Sequence, residues 1–209
     1  MKNKILKLSL SFLICLSTLN SYANELNKNN LTYETMYDDA SMSYYKKGRI
    51  LYNNISQKNL EEAIKTYDQG ISINKNNPLL YASKVEALFL LYIFKFFKFE
   101  SNINKAKIEY EMVKNATFAL DLAPNLAESH RAMALAYSVQ KRKEENIEEI
   151  KKALELNKID PESNLWYSTF EEDNNPKNKY LTMAYSLAPE SPLVNMFIAI
   201  AYDNDKNMG

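Results

Sequence analysis

Few residues of this chain have the types and spacing that catalysis or metal binding requires. His130 is the only histidine, and Cys15 is the only cysteine. A zinc site needs several such ligands, and no serine–histidine–aspartate pattern accompanies His130. The acidic run at residues 144–149 is flanked by lysine and arginine, which is typical of a solvated helix face. The sequence therefore predicts no catalytic residue, no metal, no cofactor and no enzyme activity.

Composition narrows the class of protein further. The chain has only three glycines in 209 residues, which argues against a glycine-rich phosphate loop. It carries 26 basic and 26 acidic side chains, so it lacks the basic excess typical of nucleic-acid binding. A hydrophobic fraction of 46% with so little glycine favours an all-α protein.

Residues 1–23 contain the three parts of a secretory signal in the usual order. A charged start, an apolar core and a small-x-small motif follow one another: Lys2, Lys4 and Lys7, then Leu8–Leu16, then Ser21-Tyr22-Ala23. The apolar core is too short to span a bilayer. We predict cleavage near Ala23 and an extracytoplasmic location, either periplasmic or secreted. Two alternatives stay open, namely an uncleaved anchor and lipid modification at Cys15, which the bulky Ile14 disfavours.

A pattern of small, apolar, proline and tyrosine residues recurs along the chain. Its best copy is Ala116–Tyr137, which reads ATFALDLAPNLAESHRAMALAY. The corresponding small residues are Gly70, Ala119, Ala153 and Ala184, which lie 49, 34 and 31 residues apart. A period near 34 residues is typical of stacked helix pairs.

The residue types in Ala116–Tyr137 explain why helices would pack there. The small residues Ala132 and Ala134 allow a neighbouring helix to approach closely. Met133 and Tyr137 are four residues apart, so they share one helix face and fill the space beside it. One helix pair cannot bury its apolar faces alone, so neighbouring pairs must stack. We predict an all-α helical-repeat solenoid of about four hairpins plus a final helix.

Prolines and their preceding residues place the boundaries of the helices. All six prolines fall at predicted helix ends or turns, and Asn, Asp or Ser precedes proline at four predicted helix starts. These starts are Asn77-Pro78, Asp160-Pro161, Asn175-Pro176 and Ser191-Pro192. The predicted organisation is a signal at 1–23, a leader at 24–39, a repeat domain at 40–203 and a tail at 204–209.

The region from Tyr44 to Tyr202 resembles the tetratricopeptide repeat family. The best repeat matches the family pattern with Met133, Ala134 and Tyr137, and it has His130 where the family favours tryptophan. Trp166 and Tyr81 occupy that position in two other repeats. Lys75 and Lys158 depart from the pattern, since they replace the turn proline.

The resemblance implies a non-enzymatic scaffold that binds a peptide or protein in a groove lined by the first helix of each repeat. The partner-binding residues that it implies are Tyr45, Arg49, Tyr52, Glu86, Phe89, Glu128, Arg131, Leu135 and Tyr167. Some members of the family hold the terminal carboxylate of a peptide with cationic residues in this groove. Too few of the corresponding positions in this chain are cationic for such a clamp. We expect Arg49 and Arg131 to serve partner binding rather than folding.

Two segments are too apolar for an ordinary solvated helix. They are Leu79–Phe99 and the final helix Pro192–Tyr202. We expect another chain to cover Leu88–Phe99, the second half of the first segment, or Pro192–Tyr202, most simply in a homodimer. The residues that we expect to form the apolar contact surface with another chain are Phe94, Phe96, Phe97 and Phe99. The alternative is that the second hairpin folds back and covers itself.

The same segments leave a second function open. The alternative to a scaffold is a protein that binds an apolar small molecule or a membrane surface through Leu88–Phe99, such as an accessory protein of a transporter.

Overall fold

A computed structural model describes residues 40–97, 105–171 and 178–207, all within the unit Asp39–Gly209. These residues form nine α-helices and no strand. The helices are α1 Ala40–Asn53, α2 Gln57–Ile73, α3 Pro78–Phe97, α4 Lys105–Leu122, α5 Ala127–Val139, α6 Lys143–Leu156, α7 Pro161–Phe170, α8 Lys179–Leu187 and α9 Pro192–Asn207. The prediction of an all-α fold is confirmed.

Polar side chains fix the starts of α3 and α7 where the sequence predicts them. Asn77 Oδ1 accepts a hydrogen bond from the Leu79 backbone N–H at 3.1 Å. Asp160 Oδ2 accepts from the Ser163 N–H at 2.8 Å. Each bond satisfies an N–H that has no partner within its own helix. The following prolines lack an N–H, so they occupy the first helical position at no cost.

Other boundaries differ from the prediction for local reasons. Apolar residues at helical spacing predict a helix over Leu60–Ile73, but α2 begins at Gln57, because Ser56 Oγ already accepts from the Asn59 N–H at 3.1 Å. Helix α9 continues to Asn207, past the predicted end of the repeat domain at residue 203.

The start of α8 also differs from the prediction. This helix begins at Lys179, and Asn178 Oδ1 accepts from the Tyr180 N–H at 2.8 Å. The predicted start at Pro176 lies outside the described residues, as do the signal at 1–23 and the leader at 24–39.

Successive helices pack as hairpins, with α1 on α2, α3 on α4, α5 on α6 and α7 on α8. The alanines expected at a tight crossing, Ala132 and Ala134, are fully buried in α5. Helices α1 and α2 also approach closely at Gly48, where a Cβ atom would lie 2.2 Å from Tyr67 Cε1. The small residues therefore set the distance between helices, as the repeat pattern indicates.

Helix α3 is covered mainly by its own chain. Every residue from 77 to 91 is buried, and the helix packs against α2, α4 and α5. Its one lysine in this stretch, Lys84, reaches Asp68 Oδ1 at 2.7 Å and Glu111 Oε2 at 3.4 Å. Neighbouring helices thus cover α3 up to residue 91, whereas Ile200 and Tyr202 of α9 are exposed, and the homodimer stays a prediction. None of the described helices combines the length and apolarity needed to cross a bilayer.

Candidate functional site

Charged side chains meet between the first helices of the four hairpins. We call them the inner charge cluster, and its members are Arg49, Glu86, Glu128, Arg131, Asp160 and Glu162. Glu86 lies at its centre, since its Oε2 accepts from Arg49 Nη1 at 2.5 Å. Its Oε1 accepts from Arg131 Nε at 2.9 Å and from Arg131 Nη2 at 2.7 Å. Both arginines therefore share one carboxylate.

The inner charge cluster joins the first hairpin to the fourth. Arg49 on α1 donates to Glu162 on α7, a residue 113 positions further along the chain. Arg131 Nη1 pairs with Asp160, the residue that caps α7, and Arg131 Nη2 lies 3.5 Å from Glu162 Oε2. The contacts thus span all four first helices.

The structure brings most predicted partner-binding residues together, but it buries many of them. Glu86 is 1% exposed, and Tyr52 and Leu135 are fully buried. The Arg49 guanidinium lies 4.5 Å from the centre of the Tyr52 ring, and Arg131 is also buried. Opposite charges hold Arg49, Glu86 and Arg131 together across the repeats. Both arginines therefore contribute to packing, and their role in partner binding stays a prediction.

Tyr167 lies apart from the cluster, in an open hollow between α6, α7 and α8 with a volume of about 450 Å³. Its ring meets that of Tyr180 edge-on, with 4.4 Å between centroids. We call the hollow the lysine cleft, because its lining includes the exposed Lys151, Lys158 and Lys179, which outnumber its one acidic residue, Glu155. Within the described residues, none of these three lysines forms an ion pair. The family resemblance does not point to these lysines, because the groove that it implies is lined by the first helices only.

Phe89 lines a second hollow, the apolar cavity, which has a volume of about 480 Å³ and lies between α3, α7 and α9. Phe94 from the predicted apolar contact surface also lines it. The side chains of Phe96 and Phe97 and the whole of Phe99 lie outside the described part of the chain. The cavity therefore joins residues from both segments that the sequence marks as unusually apolar.

Comparison with known structures identifies the fold. A tetratricopeptide-repeat protein of Thermus thermophilus is 15% identical in sequence and superposes with a TM-score of 0.57, and the match covers 90% of this chain and 94% of that chain. The chain has the tetratricopeptide-repeat fold. This confirms the resemblance that the sequence shows. No family model and no curated protein matches this sequence.

Two further tetratricopeptide-repeat structures are similar over a smaller part of the chain. The first repeat domain of human RPAP3 is 18% identical, with a TM-score of 0.47, and the match covers 70% of this chain and 95% of that domain. The first repeat domain of Spaghetti, bound to the HSP90 peptide SRMEEVD, is 19% identical, with a TM-score of 0.46 and coverage of 64% and 91%.

Burial shifts the pKa values of side chains in and around the cluster of this tetratricopeptide-repeat solenoid. It raises the pKa of the Glu128 and Glu162 carboxyls above the ordinary 4.5, although Arg131 and Arg49 oppose the change. Burial also raises the pKa of Tyr45 to about 12. Neighbouring carboxyls add to the effect of burial, since Asp160 and Glu86 raise the pKa of Glu128 further and Glu86 raises that of Glu162.

The raised pKa of Glu162 predicts how stability changes with pH. The folded chain binds the proton of this carboxyl more readily than the unfolded chain does, so the contribution of Glu162 to stability is greatest below pH 4.5. That contribution falls as the pH rises through the raised pKa. We expect the free energy of unfolding of the wild type, minus that of Glu162→Gln, to decrease between pH 4.5 and neutral pH. Urea denaturation across this range measures the difference, and an increase with pH would contradict the prediction.

Proposed function

We propose that the chain is an extracytoplasmic, non-enzymatic scaffold that binds a protein or peptide partner through the surface of its repeats. The lysine cleft is the observation that carries this proposal. It combines three exposed ammonium groups, which form no ion pair within the described residues, with the paired rings of Tyr167 and Tyr180. Stacked helical repeats offer extended surfaces of the kind that partner chains bind. The signal pattern at residues 1–23 supports the location.

The chemistry of the cleft indicates what kind of segment it would bind. Lys179 Nζ lies 4.6 Å from the Tyr180 ring centroid, and Lys151 Nζ lies 6.0 Å from that of Tyr167. Carboxylates of a partner would complement the ammonium groups, while apolar side chains would pack on the tyrosine rings and Met183. The partner segment is therefore expected to contain acidic residues beside apolar ones. The inner charge cluster is less suited to such a partner, because its charges already neutralise one another in part.

Charge reversal in the cleft tests this function. The variant Lys151→Glu, Lys158→Glu, Lys179→Glu should lose at least tenfold in partner capture, because it replaces attraction by repulsion. The mature chain, residues 24–209, serves as bait in an extract of the cell envelope, and mass spectrometry quantifies the captured proteins.

A second triple variant provides the matched control. Lys47→Glu, Lys75→Glu, Lys114→Glu changes the net charge equally at exposed lysines outside the cleft. It should capture the same partner as the wild type. Equal capture by the cleft variant and the control variant would overturn the proposed site, and no captured partner with any bait would overturn the scaffold function.

A second candidate function is binding of an apolar small molecule through Leu88–Phe99. The apolar cavity favours it, because Phe89, Ile93 and Phe94 of this segment line that cavity.

A further inference from the structure

The methionine side chains of this protein differ in their access to solvent. Among the described residues, Met42, Met112 and Met133 are buried in the core. Met196 is partly exposed at the wall of the apolar cavity, and Met183 is partly exposed at the wall of the open lysine cleft. An oxidant must reach the sulfur atom, so exposure decides which methionines react first. We therefore expect Met183 and Met196 to be oxidised well before the other three.

Met183 belongs to the part of α8 that lines the lysine cleft. It lies four residues after Lys179 and three after Tyr180, so these side chains share one helix face, and all three line the cleft. Its sulfur lies 3.7 Å from Oγ of Ser186, an exposed residue, so the thioether is near the surface rather than in the core. A chemical change at Met183 therefore alters the surface that a partner segment would contact.

A peroxide can oxidise this thioether directly. The sulfur lone pair attacks one oxygen of hydrogen peroxide, so that an S–O bond forms while the O–O bond breaks. The hydroxide that is released takes the proton from the new S–OH group and leaves as water. The sulfur loses two electrons and the peroxide gains them. The product is a sulfoxide, which is polar, whereas the thioether is apolar.

A sulfoxide at this position would oppose partner binding in two ways. Apolar side chains of a partner segment would meet a polar oxygen where they now meet the thioether. The sulfoxide oxygen is also a hydrogen-bond acceptor one helical turn from Lys179, so it competes with a partner carboxylate for that ammonium group. Both effects weaken the attraction on which the proposed function depends.

We propose that Met183 is a peroxide-sensitive site that controls the lysine cleft: the cleft binds its partner while Met183 is a thioether and releases it when Met183 is a sulfoxide. The inference deepens the proposed function and rests on it, since it concerns the same cleft. The two can be separated by experiment, because oxidation of Met183 is measured without any partner.

Peptide mass mapping tests the modification. The mature chain is treated with hydrogen peroxide, and the gain of one oxygen atom at each methionine is followed over time. Met183 should be oxidised roughly tenfold faster than Met112 and Met133, because their sulfur atoms are buried. Equal rates at these three residues would overturn the inference.

Capture from an extract of the cell envelope tests the control of binding. Peroxide is removed from the oxidised bait before the extract is added, and the proteins compared are those that the triple Lys→Glu variant of the cleft fails to capture. Oxidised wild type should capture roughly 3- to 10-fold less of them than reduced wild type, because part of an apolar contact is lost. Methionine sulfoxide reductases should restore capture.

Two variants provide matched controls. Met183→Leu keeps an apolar side chain but has no sulfur, so it should capture the same amount before and after peroxide. Met196→Leu keeps Met183, so it should lose capture as the wild type does.

The outcomes distinguish control by Met183 from the proposed function. Equal capture by oxidised and reduced wild type, the same loss with Met183→Leu, or a loss that the reductases do not reverse would overturn control by Met183 and leave the cleft as the binding site. Absence of capture by the reduced wild type would overturn the proposed function, and control by Met183 with it.

Discussion

Replacement of Glu86 by alanine is expected to lower the free energy of unfolding by about 3–5 kcal/mol. The Glu86 side chain is 1% exposed and pairs with both Arg49 and Arg131. Alanine would leave two guanidinium groups without the carboxylate that they share. Removing one partner of a buried ion pair is costly because the remaining charge stays desolvated. Urea denaturation followed by circular dichroism measures the loss.

Glu62→Ala provides the control on a solvent-exposed pair. Glu62 Oε2 lies 3.7 Å from Lys65 Nζ, and its side chain is 53% exposed. Water screens such a pair, so its loss should cost less than about 1 kcal/mol. Similar losses for Glu86→Ala and Glu62→Ala would show that the inner charge cluster contributes little to folding.

The helices could be predicted because their signals are local. Asn77 and Asp160 precede prolines and cap the next helix within three residues, so neighbouring residues determine these starts. The stacking of hairpins could also be predicted, since Ala132 and Ala134 indicate a close crossing wherever the partner helix comes from. The start of α8 was predicted less well. Both Asn175 and Asn178 have the residue type of a cap, and the proline after Asn175 favours the start that the structure does not use.

The inner charge cluster could be predicted only in part. Repeat position alone placed Arg49, Glu86 and Arg131 on a common surface. The pairing of Arg49 with Glu162 could not be predicted, because it depends on how the small rotation between successive repeats accumulates over 113 residues. Each repeat considered separately gives Arg49 and Arg131 no ion-pair partner, which is why we expected both side chains to serve partner binding.

Coverage of the apolar segments depends on the same long-range geometry. The sequence marks Leu79–Phe99 and Pro192–Tyr202 as apolar on most faces, but it does not show that Phe89 and Phe197 both contact Trp166.

The lysine cleft could not be predicted for a different reason. Its lysines come from α6, α8 and the turn before α7, whereas the resemblance draws attention to first helices.

The contact between Arg49 and Glu162 tests most directly whether this solenoid closes its inner surface by joining the first repeat to the fourth. A double-mutant cycle compares Arg49→Ala, Glu162→Ala and the double variant by urea denaturation at neutral pH. Because the two side chains share an ion pair in a largely buried cluster, we expect a coupling free energy of about 1–3 kcal/mol.

A second cycle between Arg49 and Glu145 provides the reference. Glu145 lies on α6, pairs with Arg142 at 2.8 Å and is 41% exposed, so its replacement should be additive with that of Arg49 to within about 0.5 kcal/mol. The structure predicts clear coupling for Arg49 with Glu162 and none for Arg49 with Glu145. Additive behaviour in both cycles would contradict the closed inner surface.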